Sequence, residues 1–409
     1  MKSLFRKKKE SNNVTVLSNL HADGIKVFTN VLSYPIKLSN DEFDFSGGIV
    51  DLKTFTLIEE AILIRHGKAS QKTPDLSAEK LNIDSLSVID TLSLYAGLLF
   101  DNFGHFLLES LSRLWAYSQL PAKEFSILFY APWGIPDIHN KNNYIHQCLK
   151  ALGIPLNKII FLEKPVIVKQ LVIPEQKYGF GKCKTPDQQF VDFIKTFQFP
   201  ASITKQDFPE KIYVSRSKLP YQQGKPIGEN FFEKFLKENE YQIVYPEKLT
   251  LYHQLELYKH ASSIIFCDGG AIYCNVLLPQ FKAAIAIIAR RRDHRWNYKE
   301  ITDHFVGYKK DVLWIDEVTG QYEFGLETWD AMAEIDWFAV SVQLTNAGFI
   351  EKYFEDYKQL NVLQIKKESL KNFIQAINTN PLFLEYMEKL KQQHPLLPTS
   401  FDTTMVAPT

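Results

Sequence analysis

The chain has 409 residues, 45% of them hydrophobic and 13% aromatic, with 47 lysines and arginines against 47 aspartates and glutamates. That length exceeds what one core usually supports and points to two domains of roughly 150–200 residues each, while the balanced charge gives no reason to expect a nucleic-acid partner. No stretch approaches the ~20 consecutive apolar residues of a membrane-spanning helix, and the four cysteines, Cys148, Cys183, Cys267 and Cys274, fit neither a disulfide framework nor a zinc site, so reduced thiols are expected.

The first segment, Met1-Lys2-Ser3-Leu4-Phe5-Arg6-Lys7-Lys8-Lys9, is basic with no apolar h-region behind it, so secretion is not expected and the chain reads as cytoplasmic. The cluster itself reads as a solvated, disordered end; peripheral attraction to the anionic inner face of a membrane is the other reading. Through residue 100 the pattern is β-rich, with strands at 49–57 and 60–65 and a loop at 71–87. From Asp101 the signal sharpens into helix 102–119, strand 126–130, helix 143–152 and strands 158–162 and 166–173. Strands alternating with helices predict a sheet with a largely parallel core. The loop 174–186 carries Tyr178-Gly179-Phe180-Gly181-Lys182. No strand leads into a helix there at dinucleotide-fingerprint spacing, so a domain hinge is a better reading than a phosphate cradle.

Helix 187–197 and a polar linker at 200–210 follow. The second half alternates more clearly, with strands at 211–215, 242–245, 262–267, 283–289 and 311–315 and helices at 229–239, 251–261, 271–278 and 296–305. Five short apolar runs separated by helices describe a Rossmann-like nucleotide-binding domain. Beyond Asp336 come two or three amphipathic helices ending near Gln392, then a tail expected to be disordered. The resulting division is a first domain at 1–199, a Rossmann-like domain at 200–335, helices at 336–395 and the tail at 396–409.

Four places carry candidate chemistry. In helix 102–119, Phe103, Phe106, Leu107, Leu111, Leu114 and Trp115 recur at helical spacing and supply a buried face. Asn102, His105 and Glu109 share a second face that packing does not require, with Gly104 leaving room near the backbone and Arg113 one turn on. Histidine exchanges protons near neutrality, so His105 is a candidate general base with Glu109 orienting it, a structural histidine being the alternative. The other three places follow strands, because ligands in open α/β sheets bind beyond the strands' carboxyl ends.

After 211–215 come Arg216 and Lys218, and a guanidinium there can grip a diphosphate bidentately. After 262–267 comes Asp268-Gly269-Gly270-Ala271, where a helix start offers free N–H groups to a leaving diphosphate. The simpler reading there is a tight glycine turn with Asp268 capping the helix. After 283–289 comes Arg290-Arg291-Arg292-Asp293-His294-Arg295-Trp296, whose four arginines and histidine can clamp a nucleotide or an anionic acceptor, a solvated charge run being the alternative; Arg292 and Arg295 are the residues picked for diphosphate or acceptor contact.

These motifs, in this order from about Asp101 to Tyr308, resemble glycosyltransferase family 61. The likeness is carried by Asn102-Phe103-Gly104-His105-Phe106, Ile212-Tyr213-Val214-Ser215-Arg216, Lys225-Pro226-Ile227-Gly228-Glu229, Pro246-Glu247 with Leu249 and Gln254, Asp268-Gly269-Gly270-Ala271-Ile272-Tyr273, and Trp296 with Tyr298. It implies an α/β GT-B fold: two Rossmann-like domains facing across a cleft, the C-terminal one holding a nucleotide sugar, with C-terminal helices packing back on the first. It also implies inverting transfer without an Asp-x-Asp metal motif, and none follows a strand here, so neither a metal nor a cofactor beyond the co-substrate is expected.

On that footing His105 and Glu109 are catalytic candidates, and Arg216, Lys218, Glu247, Asp268, Gly269, Gly270 and Ala271 are donor-binding ones. Asn102, Arg113, Arg292 and Arg295 are candidates for acceptor or diphosphate contact. A UDP-linked donor, a glycan acceptor that one version makes lipid-linked, and a place in capsule or lipopolysaccharide synthesis complete the expectation. A non-catalytic nucleotide- or glycan-binding assembly subunit is the alternative, and a nucleotide-sugar epimerase a third reading. Many members carry histidine or glutamate where Asp268 stands, and Asn-Glu where Gly228-Glu229 stand.

Overall fold

The computed structural model describes residues 23–39, 42, 44–76, 81–120, 125–179, 186–201, 203, 207–220, 223–278, 282–291, 311–322 and 331–379. Described residues within 1–200 and 273–279 form one compact unit, and those within 201–272 and 280–409 form another. Expected features at 180–185, 296–305 and 396–409, together with Cys183, Arg292 and Arg295, lie outside the described residues.

The first unit contains β1 (Ile25–Leu38), β2 (Phe45–Asp51), β3 (Ile64–Arg65), β4 (Lys68–Ala69), β5 (Gln71–Lys72), β6 (Ser87–Leu98), β7 (Phe125–Tyr130), β8 (Ile159–Phe161) and β9 (Val166–Pro174). Seven of these make one sheet in the order β5-β2-β1-β9-β6-β7-β8, while β3 and β4 pair as a separate hairpin. Strands β9, β6, β7 and β8 are parallel, as the alternation predicts; β1 is antiparallel to both β9 and β2. The two longest strands, β1 and β6, come from the stretch where sequence predicts only short strands. Their buried stretches explain why: Leu92 to Leu98 are all buried, as are Val31 to Tyr34, so the in–out alternation that marks a half-exposed strand is missing.

The second unit contains β10 (Lys211–Val214), β11 (Gln242–Val244), β12 (Ser263–Cys267), β13 (Ala284–Ile288) and β14 (Val312–Ile315), followed by the hairpin β15 (Val318–Tyr322) and β16 (Met332–Ile335). The first five form an all-parallel sheet in the order β11-β10-β12-β13-β14. From β10 the chain moves one way to β11, and from β12 it moves the other way to β13. The crevice between the carboxyl ends of β10 and β12 is therefore the point of reversal, where doubly wound sheets take ligands.

On this sheet lies helix Glu229–Glu238, whose Phe232 and Phe235 face the core at helical spacing. Trp337 stacks on Phe232 at 4.6 Å and 22°, and its indole N–H donates to Ile227 O at 2.8 Å. Helix Trp337–Asn346 is thus built into the second unit, burying Trp337, Val340 and Leu344 in that unit's core. The apolar face of this helix is spent where its aromatic partners are, and the expected helical region beyond residue 379 lies outside the described residues. Among the described residues no helix is long and apolar enough to cross a membrane.

Candidate active site

Beyond β6 the chain is turned at once. Leu99 N–H donates to Tyr130 O at 2.7 Å, Phe100 N–H to Ser110 Oγ at 3.0 Å, and Asn102 Oδ1 accepts from His105 N–H at 3.3 Å, capping a helical turn. The single helix expected over 102–119 does not form. One α-turn, Phe103–His105, passes into a π-turn, Phe106–Ser110, and a 3-10 segment, Leu114–Gln119, resumes after a break. The extra residue of a π-turn shifts the phase of everything after it, so Arg113 does not share the face of His105 and Glu109. Its guanidinium is buried, donating to Pro174 O and to Ile62 O (3.1 Å) and lying over the Tyr95 ring. Arg113 is a brace inside the unit, which corrects its assignment as an acceptor or diphosphate contact. Gly179 packs against this same turn: its φ is +109°, and a Cβ there would come within 1.8 Å of Leu108 O.

Glu109 has a fully buried side chain. It accepts from Arg65 Nε at 2.5 Å and Arg65 Nη2 at 2.9 Å, and His105 Nδ1 lies 2.7 Å from its Oε2. Burial pushes the Glu109 pKa up, but the His105 hydrogen bond and the Arg65 charge outweigh it and hold the group below its ordinary value. Glu109 is therefore a fixed anion that receives the Nδ1 proton, and Nε2 is the ring atom that would accept another. Phe100 and Trp133 wall the imidazole, with ring centroids at 5.6 Å and 5.1 Å, the indole perpendicular to it. Trp133 is 42% exposed and follows β7. Sequence reasoning missed Arg65 and Trp133, since nothing in the spacing ties either to residues 102–109.

In the second unit, β10, β12 and β13 end in step. Val214 pairs with Phe266 and Cys267 with Ile288, so Arg216, Asp268 and Arg290 emerge at one edge of the sheet. Arg216 bends back to donate from Nε and Nη2 to Gly224 O (3.1 and 3.0 Å) and from Nη2 to Gln223 O. Gly269 makes room for it: a Cβ there would sit 2.1 Å from Arg216 Nη1.

Asp268 is buried and is gripped bidentately by Arg291, Nε to Oδ2 and Nη2 to Oδ1, both at 2.8 Å. Burial opposes its ionisation, but Arg291 and Arg290 hold its pKa below the ordinary value. The carboxylate is thus an arginine partner rather than a helix cap, and the segment after it, Gly270–Leu277, is a 3-10 helix rather than the α-helix expected at 271–278. Arg290 is 2% exposed and donates to Asp268 O and Ala331 O, each at 3.3 Å. Burial, then the neighbouring Arg216 and Arg291, bring its pKa down to about 9.

Of the other expected residues, Gly270 and Ala271 open the 3-10 segment, while Lys218 and Glu247 are exposed on the loops after β10 and β11. From the arginine run, singled out in the sequence because it follows a strand, the structure gathers Arg290 and Arg291, whereas the two residues picked from it, Arg292 and Arg295, lie outside the described residues.

Residues 103–285 match the family model described as Glycosyltransferase 61. The match supports assignment to glycosyltransferase family 61. No curated protein matches the chain. The family segment contains His105, Glu109, Arg216, Asp268 and Gly269 and stops just short of Arg290 and Arg291. Glycosyltransferases in general use a sugar donor and a glycan acceptor.

Proposed function

We propose that this family 61 protein is an inverting glycosyltransferase that moves a sugar from a UDP-linked donor to a glycan acceptor. The observation that carries the reading is the convergence of Arg216, Arg290 and Arg291 around Asp268 at the reversal point of a parallel sheet. Guanidinium groups crowded in a buried place repel one another, and a diphosphate arriving among them relieves that repulsion while gaining charge-assisted hydrogen bonds of roughly 1.5–3 kcal/mol each. The second unit is then the donor side.

In the first unit His105 is the proposed base. Nε2 takes the proton of an acceptor hydroxyl, the acceptor oxygen bonds to the anomeric carbon, and the bond from that carbon to the diphosphate oxygen breaks, leaving its charge to the arginines. Glu109 steadies the imidazolium through Nδ1–H. The reading adopts the GT-B arrangement implied by the family likeness. A cytoplasmic role in capsule or lipopolysaccharide synthesis, with a lipid-linked acceptor, belongs to the same proposal and rests on that likeness alone.

Thermal unfolding in the presence of UDP, GDP, CDP and TDP and their sugars tests the reading. One nucleotide at 100 times its Kd should stabilise the protein by about 2.7 kcal/mol, and Arg290→Ala should abolish most of that gain. Failure of every nucleotide to stabilise the folded parent protein would overturn the donor assignment.

A further inference from the structure

Beneath Arg216 the second unit buries two carboxyl groups for which the donor reading has no use. Glu229 and Glu233 lie one turn apart on helix Glu229–Glu238 and are 1% and 6% exposed. Glu233 receives hydroxyl protons from Ser215 (2.6 Å), Ser217 and Tyr245 (2.9 Å), a set that suits a carboxylate anion. Glu229 is placed differently. Its Oε1 accepts from the Tyr213 hydroxyl at 2.7 Å and from the Arg216 backbone N–H at 2.9 Å, with Ser215 Oγ at 3.0 Å. Its Oε2 is buried with no hydrogen-bond partner among the described residues.

Ser215 has a single hydroxyl proton between the two acids, and the shorter contact assigns it to Glu233. An ionised Glu229 would leave one oxygen bare in the interior, a turn away from a second anion, so the neutral acid is the form this packing suits. Burial accordingly raises the Glu229 pKa to about 7, against the pull of the Arg216 N–H and the Tyr213 hydroxyl. The other titratable groups that face it are Cys267 from β12, Lys225 and Tyr245 from the flanking loops, and Glu233 from its own helix. The buried Cys267 thiol is influenced electrostatically by Glu229, Arg216, Arg290 and Asp268.

We infer that Glu229 is a positioning residue for the diphosphate site, holding the Arg216 backbone in its neutral form, so that diphosphate binding draws a proton onto Glu229 and its ionisation weakens binding. This rests on the donor reading above. An anion seated at the arginines disfavours a second negative charge at Glu229, and reciprocity makes the protonated protein the better binder.

The experiment is calorimetry of inorganic pyrophosphate with the full chain between pH 6 and 8.5, on the parent and on Glu229→Gln. The ligand's own titration is common to both proteins, so the difference belongs to Glu229. Affinity of the parent should fall by about tenfold relative to the variant across that range, with more proton taken up on binding by the parent than by the variant. Identical pH profiles would overturn the inference while leaving the donor site standing. Absence of pyrophosphate binding would instead remove the donor reading.

A ligand-free measurement then judges Glu229 by itself. A carboxyl raised to about 7 in the fold gives stability that is complete below its ordinary value near 4.5 and lost as pH rises through about 7. Thermal unfolding of the parent should therefore fall away from that of Glu229→Gln between about pH 4.5 and 7 and run parallel to it above, and curves parallel over the whole range would refute the titration. Proton uptake measured on the parent, corrected for pyrophosphate, needs no variant to fold.

Discussion

Each unit sets a buried carboxylate just beyond a parallel strand and closes an arginine on it, Glu109 with Arg65 and Asp268 with Arg291, yet the two clusters are made for different chemistry by their third partner. In both, partners hold the carboxylate ionised against burial, His105 and Arg65 for Glu109, Arg291 and Arg290 for Asp268. The first unit adds a histidine and two aromatic rings, so its carboxylate holds an imidazole between aromatic walls. The second adds Arg216 and Arg290, leaving the aspartate outnumbered by guanidinium groups and the place suited to an anion. In the proposed reaction the same clamp would hold a base in one unit and a diphosphate seat in the other.

The sharpest way to break that comparison is His105→Ala. If the first cluster handles the proton and the second the donor, turnover should fall by roughly 10²–10⁴-fold while donor affinity stays within about twofold of the parent. Release of UDP from the donor and calorimetry of UDP read the two quantities separately. Turnover within about threefold of the parent would make His105 structural and dissolve the contrast.

Arg65→Ala asks whether the clamp or the histidine keeps Glu109 ionised. Leaving a buried carboxylate with only His105 should cost about 3–5 kcal/mol in urea denaturation, and replacing both partners by apolar residues should cost less than that. The pH dependence has a definite sign. Because Glu109 lies below its ordinary value, its contribution is present above about pH 4.5 and is lost as pH falls further, so Glu109→Gln should flatten the acid limb of the stability curve. An unchanged acid limb would show that Arg65 does not stabilise the anion.

Legibility in the sequence followed the same division. The second sheet's strands at 211–215, 242–245, 262–267, 283–289 and 311–315 appear within one or two residues of the expected bounds, because each is a short apolar run between polar turns. In the first unit β1 and β6 were obscured by burial on both faces. The 102–119 segment shows the limit of periodicity: Phe106, Leu107, Leu111, Leu114 and Trp115 are buried as the spacing predicts, but a π-turn leaves no mark in that spacing. The His105–Glu109 contact was legible because the break falls after it, and Arg113 was misplaced because it lies beyond the break. Arg65 was hidden for a different reason, since a partner 44 residues upstream is brought in by the fold alone.

A smaller effect sharpens the second cluster. Gly269→Ala puts a methyl group where Arg216 Nη1 lies, so the guanidinium must move. Donor affinity should fall by about tenfold, as for Arg216→Ala, which removes one such charge-assisted bond. The two changes act on one contact, so combining them should add almost nothing. Additive losses in calorimetry would show that Gly269 serves the site in some way other than by admitting Arg216.

The smallest expected effect is that of chelation. In the proposed reaction the leaving diphosphate is neutralised by Arg216, Arg290 and Arg291, and the carboxylates nearest the two clusters are already committed: both oxygens of Asp268 to Arg291, and both of Glu109 to Arg65 and His105. A divalent ion would have to displace an arginine to reach either one, exchanging a bidentate pair for metal–oxygen bonds where the described residues gather no group of three or more His, Cys, Asp or Glu side chains to hold it. Turnover in EDTA should therefore remain within about twofold of that in Mg²⁺ or Mn²⁺. If EDTA stops transfer and Mn²⁺ restores it, Asp268 must release Arg291 to bind the ion, and the second cluster is a metal seat rather than an arginine one.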